Sequence, residues 1–165
     1  MENKVKKKLT QRIRICIWII IGGLAISGIT AFPIETELSV LITSTNNYSG
    51  ILHNWLCTIY GALCYVNLTY PYLSYGTDWL AFAHLLLAVL FIGPLKDPLK
   101  NNWVIEFGLI AAIAIFPLAF IAGEVRGIPV FWRLIDCSFG AVALMVLLPA
   151  YRMSKKLEHL TYQLK

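Results

Sequence analysis

The sequence predicts an all-α integral membrane protein: a four-helix bundle with an additional extracytoplasmic amphipathic helix between helices 1 and 2, all in one membrane domain, residues 1–165. Three observations carry this. Hydrophobic residues make up 58% of the chain and mean hydropathy is +0.69, against roughly 45–50% apolar residues in an ordinary soluble domain. Four apolar runs approach or exceed the ~20 residues that cross a hydrocarbon core of about 30 Å. Lys and Arg, 14 against 9 Asp and Glu, are segregated along the chain. A formal charge of +5 on a soluble protein would point to nucleic acid; here its placement marks membrane orientation, and no nucleic-acid partner is expected. Length and composition exclude a multidomain enzyme and a soluble disulfide-stapled module.

The first predicted span, 15–32, follows a basic leader at 1–14 that carries Lys4, Lys6, Lys7, Lys8, Arg12 and Arg14, and it stops at Pro33. It is longer than the 7–15 apolar residues of a typical signal peptide, which favours a retained anchor over a cleaved one. Gly23 and Ser27, four residues apart, permit close approach of a neighbouring helix. The second span, 78–94, has His84 as its interior ionisable residue; the third, 103–122, has Glu106 near its first turn; the fourth, 128–151, contains Arg133 and Asp136. Inside lipid every backbone polar group must be satisfied within the segment, so these are helices. The leader, the loop around Lys96 and Lys100, and the tail at 152–165 hold twelve of the basic residues. The positive-inside rule then places both termini in the cytoplasm. Trp79, Phe131 and Trp132 at outer helix ends, and Trp103 and Tyr151 at inner ones, fit interfacial aromatic belts.

The extracytoplasmic segment, 33–77, has no Lys or Arg. A structureless loop of that length is uncommon in a compact domain. Leu52, Trp55, Leu56, Ile59, Leu63 and Val66 recur at three- and four-residue spacing, predicting an amphipathic helix over 50–66, capped by Asn46 or Ser49 and lying on the outer membrane surface. Cys57 and Cys64 are seven residues apart on it, about 10.5 Å of rise, too far to bridge each other; they read as small hydrophobes. The cysteines and histidines show no metal-ligand or haem-attachment spacing, so no metal and no cofactor is expected. The tripeptides starting at Asn47 and Asn67 match the glycosylation acceptor pattern, which matters in a eukaryotic secretory pathway.

Ionisable groups within membrane helices cost about 2.5–3.5 kcal/mol at mid-depth, so they carry functional weight. Arg133 and Asp136 are three residues apart and can pair on one helix face, either as a structural lock or as part of a site. His84 lies about 9 Å below Asp78 and Asp136 about 12 Å below residue 128, at 1.5 Å per residue. This depth argument gathers Asp78, His84, Arg133 and Asp136 into a polar pocket opening outward, with Glu35, Glu37, Glu124 and Arg126 at its mouth. Histidine beside carboxylates suits general-base work, and arginine suits an anionic head group. Glu106 falls at the cytoplasmic end, where Lys96, Lys100 or Arg152 can neutralise it.

The stretches 76–84 and 126–140, with 35–38 and 103–108, resemble an uncharacterised family of small bacterial four-helix inner-membrane proteins. The resemblance implies a bacterial inner (cytoplasmic) membrane, which discounts the glycosylation acceptors; it transfers no catalytic residue. The expected function is binding of an amphiphilic ligand or membrane-protein partner in the outward pocket, within the lipid bilayer. Two alternatives stand beside it: a membrane-embedded hydrolase or transferase on a lipid-type substrate, and a small transporter or assembly subunit.

Overall fold

A computed structural model describes residues 2–45 and 50–162 and is all-α. Its helices are α1 (Glu2–Ala31), α2 (Ile34–Thr45), α3 (Ile51–Thr69), α4 (Pro71–Leu90), α5 (Ile92–Lys96), α6 (Asn102–Val125) and α7 (Val130–Tyr162). Four stretches are long and apolar enough to cross a membrane: Asn3–Ala31, Pro71–Lys96, Asn102–Val125 and Val130–Thr161. The shortest, 24 residues, is about 36 Å at 1.5 Å per residue, more than the ~30 Å hydrocarbon core. Large apolar side chains stand open along these helices, among them Ile26, Ile110, Leu118, Phe139 and Met145. Such surface is unfavourable in water and natural against acyl chains.

The chain divides into two compact units, one made of residues 1–22 and 88–165, the other of residues 23–87. In the first unit α6 and α7 form a helical hairpin. Small residues let the backbones close: a Cβ on Gly140 would lie 2.8 Å from the Ala112 carbonyl oxygen, and one on Gly108 would meet Phe91 and Leu147. Ile13, Ile17, Val104, Ile105 and Leu147 are fully buried. The turn joining the two helices follows from Gly127, whose φ of 66° is the left-handed conformation that glycine adopts without a Cβ penalty. The Ile128 N–H donates to the Gly123 carbonyl (2.8 Å) and the Gly127 N–H to the Glu124 carbonyl (3.1 Å), the paired bonds of a Schellman end. Pro129 then prevents continuation. At the other end of α6, Asp97 Oδ1 accepts the Leu99 and Lys100 N–H groups, both at 3.1 Å, an Asx turn. Arg14 donates to the carbonyls of Leu95 and Lys96, tying α1 to the end of α5.

In the second unit the segment before α4 holds two helices, α2 and α3, where the apolar spacing predicts one. The stretch 50–66 falls in α3, which starts at Ile51 and runs on to Thr69. Within its predicted apolar stripe Leu56 is buried, whereas Leu52 is exposed. Helix α2 comes from residues whose hydroxyls invite a loop reading. In place they turn back on their own helix: Ser39 donates to Thr36, Thr43 to Ser39, and Thr45 to Leu41, each at 2.8 Å, which satisfies the hydroxyls within the helix. Glu35 and Glu37 lie in its first turn, where the helix dipole favours negative charge. Asn46, Ser49 and the acceptor tripeptide starting at Asn47 lie outside the described residues.

Helix α4 starts at Pro71, not near Asp78. Proline suits the first helical position because its missing N–H has no intrahelical partner there, and the preceding Tyr70 is kept out of the helical region (φ −137°, ψ 59°). Gly28 of α1 packs on α4 within this unit: a Cβ there would lie 2.8 Å from the Ala81 carbonyl oxygen and 2.9 Å from the Leu85 side chain.

Candidate functional site

The polar residues expected to share one pocket fall into both units: Glu35, Glu37, Asp78 and His84 in residues 23–87, and Glu124, Arg126, Arg133 and Asp136 in the other. Counted along its own helix, His84 lies thirteen residues, about 20 Å, from Pro71; within the other unit Asp136 lies six residues, about 9 Å, from Val130. His84 Nδ1 lies 2.8 Å from the Leu80 carbonyl oxygen one turn earlier, the geometry of a ring N–H satisfied within its own helix.

Arg133 does not pair with Asp136. Its Nη1 donates to Glu124 Oε2 at 2.5 Å and its Nε to the Ile128 carbonyl at 2.6 Å. The reason is the turn: residues 126–129 reverse the chain so that Glu124, nine residues earlier, lies within reach of the guanidinium. Gly123 makes room, because a Cβ there would lie 2.9–3.0 Å from the arginine's Cδ, Cγ and Nε. The arginine side chain is 10% exposed and the glutamate 76%, so the arginine is the desolvated partner and solvent screens the pair from the glutamate side. This arrangement holds the α6–α7 turn and engages the guanidinium at both Nε and Nη1. Glu106 is likewise engaged, by the Asn102 amide at 2.8 Å and Lys155 at 3.9 Å. Its cation therefore comes one turn beyond Arg152, from the α7 extension, rather than from the residues expected.

The second unit contains a cavity of about 240 Å³ lined by Phe32, Pro33, Ile34, Glu35, Thr36, Leu63, Asn67, Ser74, Thr77 and Asp78. Local chain geometry assembles its polar wall. The chain bends at Tyr70 and Pro71, where the Tyr70 N–H closes α3 on the Val66 carbonyl (2.6 Å) and the Leu73 N–H returns to the Tyr70 carbonyl (2.9 Å). That corner brings Asn67, in the last turn of α3, against Ser74, in the first turn of α4. Ser74 Oγ donates to Asn67 Oδ1. The Asn67 amide donates in turn to Glu35 Oε2 at 2.5 Å, and the Cys64 thiol reaches Glu35 Oε1 at 3.6 Å. Asp78 follows Ser74 by four residues on the same face of α4. Glu37 is half-buried on the same turn as Glu35 but does not line the cavity.

Tyr60, one turn before Cys64, extends the network. Its interaction with Cys64, through hydrogen bonding first and then charge, pushes its pKa above the ordinary phenol range, with desolvation and the nearby Glu35 adding to the rise. His53 links α2 to α3, its Nδ1 3.1 Å from Thr45 Oγ1 and its Nε2 3.5 Å from Cys57 Sγ. All four cysteines are free thiols. Among the described residues no group of three or more His, Cys, Asp or Glu is arranged to hold a metal ion.

Sequence reasoning had placed Glu35 and Asp78 in a site but missed Cys64, Asn67 and Ser74. Their signal was one of spacing: Tyr60, Cys64 and Asn67 stand at i, i+4 and i+7, a polar stripe along α3, and Ser74 and Asp78 at i and i+4 on α4. The arrangement offers fixed hydrogen-bond acceptors and negative charge in a small concave site. Comparison with family models, with curated proteins and with solved structures gives no match for this chain.

Proposed function

We propose that this is a small multi-pass protein of a bacterial inner membrane, with both termini cytoplasmic, whose polar pocket between α2, α3 and α4 faces outward and binds an amphiphilic ligand. The cavity carries the reading: two carboxylates, an amide and three hydroxyl side chains line a concavity bordered by Phe32, Pro33, Ile34 and Leu63. Polar groups beside apolar surface match a molecule that is itself polar at one end. Its volume of about 240 Å³ is below the roughly 300–1,000 Å³ of sites that enclose a drug-sized ligand, which suits a head group whose chain stays outside.

The outward orientation is supported by charge. Residues 23–87 contain no Lys or Arg, whereas the leader, the loop around Lys96 and Lys100, and the tail are basic, the asymmetry that the positive-inside rule converts into sidedness. A concave site of this size favours a small ligand over a membrane-protein partner, which needs a broader surface. Arg133 is committed to the turn and His84 to its own helix, so no specific observation favours the hydrolase or transferase alternative.

Native mass spectrometry of the full chain in mild detergent tests the proposal. A retained amphiphile is expected, and less of it in Thr36→Trp, which fills the cavity from an exposed lining position. Retention of nothing, or undiminished retention in Thr36→Trp, overturns it.

A further inference from the structure

We infer that the head group this pocket takes is a primary ammonium, an inference that rests on the pocket being a binding site. Hydrogen-bond capacity and charge in the lining are out of balance. Among the lining groups, the Ser74 hydroxyl is spent on Asn67 and one Asn67 N–H on Glu35, so the internal bonds consume donors and leave the carboxylates as the dominant open valence. An ionised carboxylate has about four acceptor sites and no donor. Glu35 receives an amide and a thiol from the protein, neither of which removes its charge. Asp78 lines the same cavity, and no ion pair joins it to a described residue. Within residues 23–87 neither Lys nor Arg is available to neutralise either group. A second carboxylate facing the same small concavity costs repulsion that a bound cation relieves. An anionic head group, by contrast, would meet two negative charges and no cationic side chain in the lining.

Primary rather than quaternary ammonium follows from the wall. A quaternary head group is held by several aromatic faces, and among the described lining residues Phe32 alone is aromatic. A primary ammonium presents three N–H donors, which the wall answers with the Glu35 and Asp78 carboxylates and the Thr36 and Thr77 hydroxyl oxygens. Charge-assisted bonds of this kind are roughly twice as strong as neutral ones.

The test uses the purified full chain in dodecyl maltoside and four probes with the same twelve-carbon tail: dodecylamine, dodecyltrimethylammonium, dodecyl phosphate and dodecanol. Binding is read by native mass spectrometry. Dodecylamine is expected to bind most tightly, and Asp78→Asn to weaken it about tenfold, the scale of one lost charge-assisted contact. Glu35→Gln gives the same direction, and Asp78→Asn remains interpretable if the Glu35 change disturbs the Asn67 network. Pocket-dependent binding led by the phosphate, the alcohol or the quaternary probe, pocket dependence being loss in Thr36→Trp, overturns the ammonium assignment and leaves the binding site standing. Binding of every probe indifferent to Thr36→Trp, Asp78→Asn and Glu35→Gln overturns both.

Discussion

The α6–α7 hairpin and the α2–α4 segment answer the same problem, polar groups in a very apolar chain, in opposite ways. In the hairpin the arginine is buried, closed on Glu124 and on the Ile128 carbonyl, and packed over Gly123. Backbones touch at Gly140, and Val104, Ile105 and Leu147 are fully buried. Among the described residues of 23–87 the buried apolar side chains are Leu38, Leu56 and Ala81, and the polar network borders an open cavity. A charge that is buried, paired and packed over is architecture; a carboxylate such as Glu35, held at the edge of a concavity by neutral partners, is free to meet a ligand. Sparse packing is also what a region that must admit a ligand requires.

The largest expected effects lie in the hairpin. Gly140→Val is expected to have the largest effect on stability, on the order of 1–3 kcal/mol for overpacking, because the added carbon meets the Ala112 backbone and not a movable side chain. Denaturant unfolding in detergent measures it, and a neutral substitution would show that the helices are not in contact there. Arg133→Met comes next, at about 1–3 kcal/mol, since it removes bonds to a carboxylate and to the turn carbonyl. Glu124→Gln is expected to cost less than about 1 kcal/mol, its side chain being largely exposed. An equal loss from both would mean that the ion pair, and not the turn carbonyl, supplies the stabilisation.

In the second unit the expected effects move from stability to binding. Asn67→Leu removes the bridge between Glu35 and Ser74 and is expected to reduce amphiphile retention more than it lowers the unfolding midpoint. Retention unchanged, with the midpoint lowered, would make the network structural. The smallest effect is at Tyr60. A folded pKa raised above the unfolded value of about 10 contributes stability that is present below pH ~10 and lost as pH rises through the higher folded value. Cys64→Ala should therefore bring the Tyr60 phenolate absorbance transition down toward the ordinary range, Tyr60→Phe serving as the blank. No change in Cys64→Ala would remove Cys64 as the cause.

The four apolar helices were legible from run length alone, because nothing but a spanning or deeply buried helix uses so many consecutive apolar residues. Helix α2 was not: Ser39, Thr43, Ser44 and Thr45 are residues whose hydroxyls compete for backbone groups, and only in the folded chain do they satisfy their own helix. Pro71 marked a turn and equally a helix start, and spacing does not choose between them. The Arg133–Asp136 pairing was the local solution; Glu124 won because a Schellman turn folds nine residues of separation into one contact. At the pocket the charged residues were visible and the neutral ones were not. Asn67, Cys64 and Ser74 carry no charge signal, and their meeting depends on the corner at Tyr70 and Pro71.

We propose that ligand chemistry resides in residues 23–87 while the α6–α7 turn is scaffold. Hydrogen exchange of the full chain, with and without the dodecyl probes, separates the two regions. Protection is predicted at the start of α2, the end of α3 and the first turns of α4, with the peptides around Gly127 and Arg133 unchanged. Protection confined to the α6–α7 turn would move the ligand site to the hairpin and refute this division.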